Sequence, residues 1–508
     1  MNNKFLALSF CLFLLSFVVI GQSYDSTAWK YAKTINEKDI FRHLSTLASD
    51  EFEGRETGEE GQKKAMRYIA NEFKTNRILD YGNNGYIQWY SLLEQENKGV
   101  SIQIDGDQFE LNKDFLMQPS VVKNEIFDME IVFVGYGIEE DNYDSYKNLN
   151  VKNKGVIFLN STPKNVELKN KWGIKDKIAL AKEKGASAVF YEDISIKAIV
   201  EKYTNYLKRP HVNLLSDGLN AANQFLTIRM NKNMTEQALK SGGVKYKRVK
   251  KKGIKEKDYF NESFTIYIDK PTKAVSGENV YAYIRGTEKQ DEVVVISAHY
   301  DHLGKTDSTI YNGADDNASG TAALLEMAEA FKKAADDGFR PKRSIFLIAF
   351  SGEEKGLLGS RFYSDYPIIP LEKTVANLNV DMIGRYDDAH KNDSNYIYLI
   401  GADRLSNDLH EMSEKVNELY TNINLDYTYN AKGDPNRFYE RSDHYNFAKH
   451  NIPVIFYFNG VHEDYHKPTD TIEKIDLKKT VHISRFIFLT AWHIANAEDR
   501  LKLNDDIK

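Results

Sequence analysis

The chain has 508 residues, enough for roughly three domains at about 150 residues each. Its 68 basic and 74 acidic residues leave a formal charge of −6, which implies no global attraction to nucleic acid or an anionic membrane. Hydrophobic residues make up 42% and aromatics 12%, which excludes wholesale disorder, and a single cysteine, Cys11, excludes a disulfide scaffold, a CxxC redox centre and a Cys-ligated zinc site. Any metal must be held by His, Asp and Glu.

Residues 1–21, MNNKFLALSFCLFLLSFVVIG, place Lys4 before a long apolar run that ends in small or β-branched residues. This is the layout of a signal peptide cleaved near Gly21, so the protein is expected to be exported: periplasmic, secreted or cell-surface associated. A retained anchor helix is the alternative, since the run is just short of a bilayer span. A lipoprotein site at Cys11 is disfavoured by the bulky Phe10 before it. Once the leader is removed, the chain holds no cysteine and no segment apolar enough to insert in a membrane.

From Ile40 to Phe73 a loop is expected, then an amphipathic helix with Ala65, Tyr68, Ile69 and Phe73 on one face. The middle of the chain changes character. Ile131–Gly137, Gly155–Leu159 and Ala188–Tyr191 are short β-rich runs, with a helical segment from Lys175 to Lys184 between the last two. A basic stretch from Lys245 to Lys257 reads as a solvated surface or linker. From Asn279 onward strands alternate with helices. Val293–Ser297, Ser344–Phe350, Val375–Val380 and Pro453–Phe458 are buried-type strands, and Ser319–Lys333 is a helix. The fold class is therefore α/β, with a mixed, mostly parallel sheet flanked by helices and, before it in the chain, a smaller β-rich α/β module.

Ligand sites in such sheets lie beyond the carboxyl ends of the strands. The residues found there are His299, Asp301 and His302, then Asp315 and Asp316 in a glycine-bounded loop, then Glu353 and Glu354, then Asp381, and finally His462, His466 and Asp470. A lone Asp after a strand is an ordinary turn or cap residue. Four strand ends carrying such residues supply what two metal ions about 3.5–4 Å apart require, roughly five imidazole and carboxylate ligands including a bridge. His299 and Asp301 are two apart in an extended segment, so Asp301 can hold the free imidazole N–H of His299. Glu353 and Glu354 are adjacent and diverge, so one can ligate a metal while the other acts as general base. His462 to His466 matches HExxH, but Asn459-Gly460 before it and Pro468 after it argue for a loop, with His462 a surface histidine.

The blocks SAHYDHLG, NGADDNASG, FSGEEKGLLGS, NVDMIG and YHKPTDT, in this order, resemble the two-zinc aminopeptidase family that also contains glutamate carboxypeptidases. The resemblance implies a zinc exopeptidase fold at 22–119 and 260–508, interrupted at 120–259 by an insertion similar to a protease-associated domain. That reduces the count to two domains, one of them split. Carried over by motif, His299 and Asp381 complete one zinc site and Glu354 and His466 the other. Asp315 bridges them, Glu353 is the base and Asp301 orients His299. A cis peptide between Asp315 and Asp316 occurs in some members. Arg441-Ser-Asp-His444 resembles the family's substrate-side block, which makes His444 and Tyr465 candidates to stabilise the oxyanion.

The implied function is an exported two-zinc exopeptidase, an aminopeptidase that removes N-terminal residues from peptides through a metal-bound hydroxide, with Glu353 as base. The inserted module is expected to wall the cleft. The alternatives are a carboxypeptidase or dipeptidase of the same family, for which Arg385 and Arg441 could hold a substrate carboxylate, then a glutaminyl cyclase, then a non-catalytic receptor-like protein. Peptides are the expected partners, and nucleic acid is not.

Overall fold

The computed structural model describes residues 23–82, 85–118, 122–164, 166–204, 207, 209–216 and 225–507. The expected leader, residues 1–21, lies outside them. Among the described residues no helix is long and apolar enough to cross a membrane.

A nine-stranded mixed sheet organises the larger unit, in the order 211–214, 87–95, 272–284, 343–350, 289–299, 374–380, 454–458, 396–400, 424–426. The centre is parallel: Arg343–Phe350, Lys289–His299, Thr374–Val380 and Val454–Phe458 all run the same way. The flanks turn antiparallel. Arg343–Phe350 is buried along its whole length. Its alternate side chains divide between two layers, with Ile345, Leu347 and Ala349 in one core and Phe346, Ile348 and Phe350 in the other. A strand covered on both faces has no polar side to show, which is why its sequence is a continuous apolar run. Truncating one of its large residues to Ala should cost about 2–5 kcal/mol.

The first layer contains the helices Glu37–Leu47, Glu60–Thr75, Gly320–Asp336 and Leu477–Asn496. Phe331 and Phe488 meet at a ring separation of 4.3 Å and hold the last two together. The expected loop before Glu60–Thr75 is partly helical. Ile40, His43, Leu44 and Leu47 recur at helical spacing and are buried, and Asn36 caps their helix by accepting from the Asp39 N–H.

The second unit is an eight-stranded mixed sheet with a hydrophobic core of its own. It contains Glu125–Phe133, Gly155–Phe158 and Ala188–Glu192, with the helix Ile174–Glu183 between the last two. It also takes in Val100–Ile104, Asp107–Glu110, Phe115–Gln118 and Asn261–Ile268, which lie outside the expected limits of 120–259. Val100, Ile102 and Ile104 alternate inward, and Asn261–Ile268 pairs along its full length with Glu125–Phe133. Pairing between distant segments, not a composition shift, sets the boundary. His211–Leu214, from the middle of this stretch, returns to pair with Ile87–Gln95 at the edge of the main sheet. The basic stretch is not a linker: Tyr246–Lys252 is a helix, and Lys250 reaches the buried Glu192 at 2.6 Å.

Candidate metal centre

The four central parallel strands deliver their chemistry at one end. His299 closes Lys289–His299, Glu353 and Glu354 follow Arg343–Phe350, Asp381 follows Thr374–Val380, and His466 lies in the loop after Val454–Phe458. Asp315 and Asp316 enter from the loop ahead of Gly320–Asp336. Gly320 lets that helix start hard against a neighbouring strand end, because a Cβ there would come 2.5 Å from the Val380 carbonyl oxygen.

Nε2 of His299 lies 3.2 Å from Asp381 Oδ1 and 3.5 Å from Asp316 Oδ1. Nε2 of His466 lies 3.2 Å from Asp316 Oδ2 and 3.3 Å from Glu354 Oε2. Asp316 therefore joins the two sets through its two oxygens, in the place expected for Asp315. Asp315 points the other way. Its Oδ1 accepts the Gly384 N–H at 2.7 Å, and its Oδ2 is 3.2 Å from His462 Nε2. The cis peptide likewise falls one residue later than expected, between Asp316 and Asn317. Glu353 and Glu354 diverge as adjacent side chains should. Donor atoms of His299, Glu353 and Asp381 lie within 4.8 Å of one another, as do those of His302, Asp316 and Glu354.

Several further side chains support the cluster. Ser442 donates its hydroxyl to Asp381 Oδ2 at 2.7 Å. Asp470 accepts the backbone N–H groups of Asp315 and Asp316, at 3.1 Å each. Arg55 is fully buried and donates to four carbonyls: Leu47 at 2.5 Å, Asn312 at 2.6 Å, Tyr300 at 2.8 Å and Gly313 at 2.9 Å. It thereby ties the end of the His299 strand to the aspartate loop. Asp301 faces His299 as expected, with Oδ1 3.7 Å from Nδ1, although the Asp301 carbonyl oxygen is closer at 3.2 Å. It also accepts from the Glu353 N–H at 3.2 Å and the Thr57 hydroxyl at 2.8 Å, which makes it an anchor for the base.

Two further expectations are corrected. His462 is no surface histidine: it is buried against Asp315, and its segment forms turns rather than an HExxH helix. His444 is fully buried, stacked on Phe456 at 4.8 Å, and burial pushes its imidazole down to about 3. It is a core residue and is not part of the cleft wall. Tyr465 does line the cleft, where its hydroxyl accepts from Arg441 at 3.3 Å.

The charges are strongly coupled. Burial works against a charged His299, but the Asp381 and Glu353 carboxylates outweigh it and raise the imidazole well above its ordinary value. Burial is likewise outweighed at His466, which Glu354 and Asp316 hold up at about 10. Glu354 is held well below the carboxylate range by His466 and His302 despite its burial. Glu353 moves the opposite way, pushed well above that range by burial, with Asp381 and Glu354 adding to it. His299 Nε2 and Asp316 Oδ2 are buried without a hydrogen-bond partner among the described residues. Unsatisfied imidazole and carboxylate atoms converging in this way fit a cation of zinc's ligand preferences.

Above the cluster opens a cleft of about 770 Å³, with Glu353, Glu354 and His466 among its walls. Tyr203, Arg209, Pro210 and His211, from the stretch that returns to the sheet edge, line it as well. A smaller cavity of about 30 Å³ lies between Asp381 and the side chains of Met382, Phe438, Phe456 and Phe458.

A family model described as Peptidase family M28 matches residues 279–491. The match covers less than half of the chain. The matched segment holds His299, Asp316, Glu353, Glu354, Asp381 and His466 together. An aminopeptidase of Bacillus subtilis, YwaD, is 30% identical over 217 residues, which are 42% of this chain and 44% of that protein. A glutamate carboxypeptidase 2 homolog of Caenorhabditis briggsae is 33% identical over 124 residues, 24% of this chain and 15% of that one. The chain thus spans less than half the length of either relative. A solved aminopeptidase from Aneurinibacillus sp. strain AM-1 shares the fold with a TM-score of 0.54 at 18% identity, over 94% of this chain and 97% of that one.

Proposed function

We propose that the protein is an exported exopeptidase that binds two zinc ions and removes N-terminal residues from peptides. The observation that carries this reading is the Asp316 carboxylate, shared between His299 with Asp381 on one side and His466 with Glu354 on the other. Zinc bound there would polarise the scissile carbonyl and lower the pKa of a coordinated water. The protein's own residues do the rest. Glu353, which lines the cleft, takes the proton of the attacking water and passes it to the leaving amine. Asp301 keeps it in place through its backbone N–H. The carboxylates gather around a free α-amine, and the cavity beside Met382 and Phe456 accepts a small apolar side chain on the N-terminal residue. Tyr203, Arg209, Pro210 and His211 restrict the far side of the cleft to extended peptides.

A carboxypeptidase would need a free cation for the substrate carboxylate. Arg385 is committed, being buried and donating to Asp464 at 2.9 Å, whereas Arg441 lines the cleft beside Tyr465 and is the cation that reading would use. Export rests on the leader-like residues 1–21. The test is a panel of free-amine and N-acetylated peptides, read for which end is released, with and without a chelator. Release of the N-terminal residue from free-amine peptides only, lost on chelation, is expected. Release from the carboxyl end of acetylated peptides would make the protein a carboxypeptidase, and inertness with two zinc ions bound would make it a binding protein.

A further inference from the structure

His302 follows the HYD block and has no part in the ligand set read from the motifs, yet it is built into the centre of the site. Its side chain is fully buried, with Nδ1 2.9 Å from Glu354 Oε1 and 3.8 Å from Asp316 Oδ2. Nδ1, Nε2 and Glu354 Oε1 are all buried, and none of them has a hydrogen-bond partner among the described residues, so the 2.9 Å approach is a polar contact that is not aligned as a hydrogen bond. The two Glu354 oxygens are thus divided, Oε1 facing inward to His302 and Oε2 outward to His466 at 3.3 Å.

The place of the ring is prepared by the backbone. Gly313 has φ 56°, and a Cβ there would come 2.5 Å from Cγ and Cδ2 of His302, so only glycine lets the ring lie on the aspartate loop. The His302 N–H donates to the Arg55 carbonyl at 3.3 Å, and the Arg55 guanidinium in turn holds the Gly313 carbonyl. The ring also meets His466 edge-on, with centroids 5.9 Å apart.

We infer that His302 is the positioning residue of the Glu354 side of the metal centre. Its Nδ1 faces Oε1 at 2.9 Å and confines the carboxylate on its inner side, which leaves Oε2 directed toward His466. Without it, a buried carboxylate whose last torsion is broad and two-fold would lose its inward partner and its orientation. The inference rests on the zinc reading above, but it concerns how one half of the site is held.

The experiment is zinc titration of metal-stripped protein against a chromophoric chelator, for the wild type, His302→Phe and His302→Asn. Phenylalanine fills the space without a donor, while asparagine returns an N–H close to the Nδ1 position. In His302→Phe one of the two binding steps should weaken roughly tenfold to a hundredfold, and His302→Asn should recover most of that loss. Thermal unfolding of the metal-free proteins reports packing separately. Equal weakening in both variants would reduce His302 to a packing residue and overturn the inference. So would a His302→Phe protein that binds two ions like the wild type. A wild type that binds no zinc would instead fail the metal reading itself.

Discussion

Nε2 of His462 lies 3.2 Å from Oδ2 of Asp315, and the contact turns that carboxylate away from the cluster beside it. Burial alone would raise Asp315, but the imidazole and the Gly384 N–H hold it below the ordinary carboxylate value. The pair locks the aspartate loop against the loop after Val454–Phe458 and leaves Asp316 as the shared carboxylate. Asp316→Asn should therefore reduce bound zinc to one ion per chain or fewer, whereas Asp315→Asn should retain two ions in a less stable protein. Metal analysis after exhaustive dialysis decides between them, and the reverse result would restore the bridge to Asp315.

Glu353 faces the cleft beside His299 and Asp381, and its own backbone is anchored by Asp301. Glu353→Gln keeps shape and volume and removes the base. Turnover should fall by about 10²–10⁴. Zinc content should not change. Wild-type rates in that variant would transfer the role of base to another group.

Arg55 gives structural reach to the site from a segment more than 200 residues away in sequence. Arg55→Met would leave four carbonyls without their donor, at about 1–3 kcal/mol for each that water cannot reach. A loss of at least about 3 kcal/mol in urea unfolding is expected. Arg55→Lys should recover only part of it, because an ammonium cannot span carbonyls arranged for a planar guanidinium. A loss below about 1 kcal/mol for Arg55→Met would show that the loop holds without it.

A pH effect on stability should arise far from the cleft. Glu326 and His43 face each other across the first helical layer, 3.5 Å apart and almost wholly buried. Burial, with Asp39 adding to it, raises Glu326 from 4.5 to about 7. Burial, with the Arg42 charge adding to it, lowers His43 from 6.5 to about 4. The protonated Glu326 is the form the fold prefers, so its contribution is complete below pH 4.5 and is lost as pH rises through 7. The shift corresponds to about 3 kcal/mol at most. Glu326→Gln should thus be more stable than wild type at pH 8, with the advantage vanishing toward pH 4.5. His43 acts in the opposite sense: its contribution is complete above 6.5 and lost as pH falls through 4. Melting temperatures across pH 4–8 for both proteins provide the check, and a constant difference would count against the linkage.

Length, composition and the missing thiols determined the kind of site before any fold was known. With Cys11 confined to the leader-like segment, a metal could be held only by imidazoles and carboxylates, and these stand after four apolar strands. That much is local. Strand periodicity, turn residues and the order of the five blocks are properties of short segments, so the sequence carries them directly. The tertiary structure decided everything that depends on direction or on distant pairing. Asp315 and Asp316 are chemically alike and adjacent, and only the backbone path through the loop says which one faces the cluster. His462 looks like a surface histidine until the sheet brings its loop to Asp315. Arg55, Ser442 and His302 acquire roles only through partners far along the chain. The limits of the second unit follow the same rule, since Val100–Ile104 and Asn261–Ile268 join it by pairing across a stretch of chain that no local pattern spans.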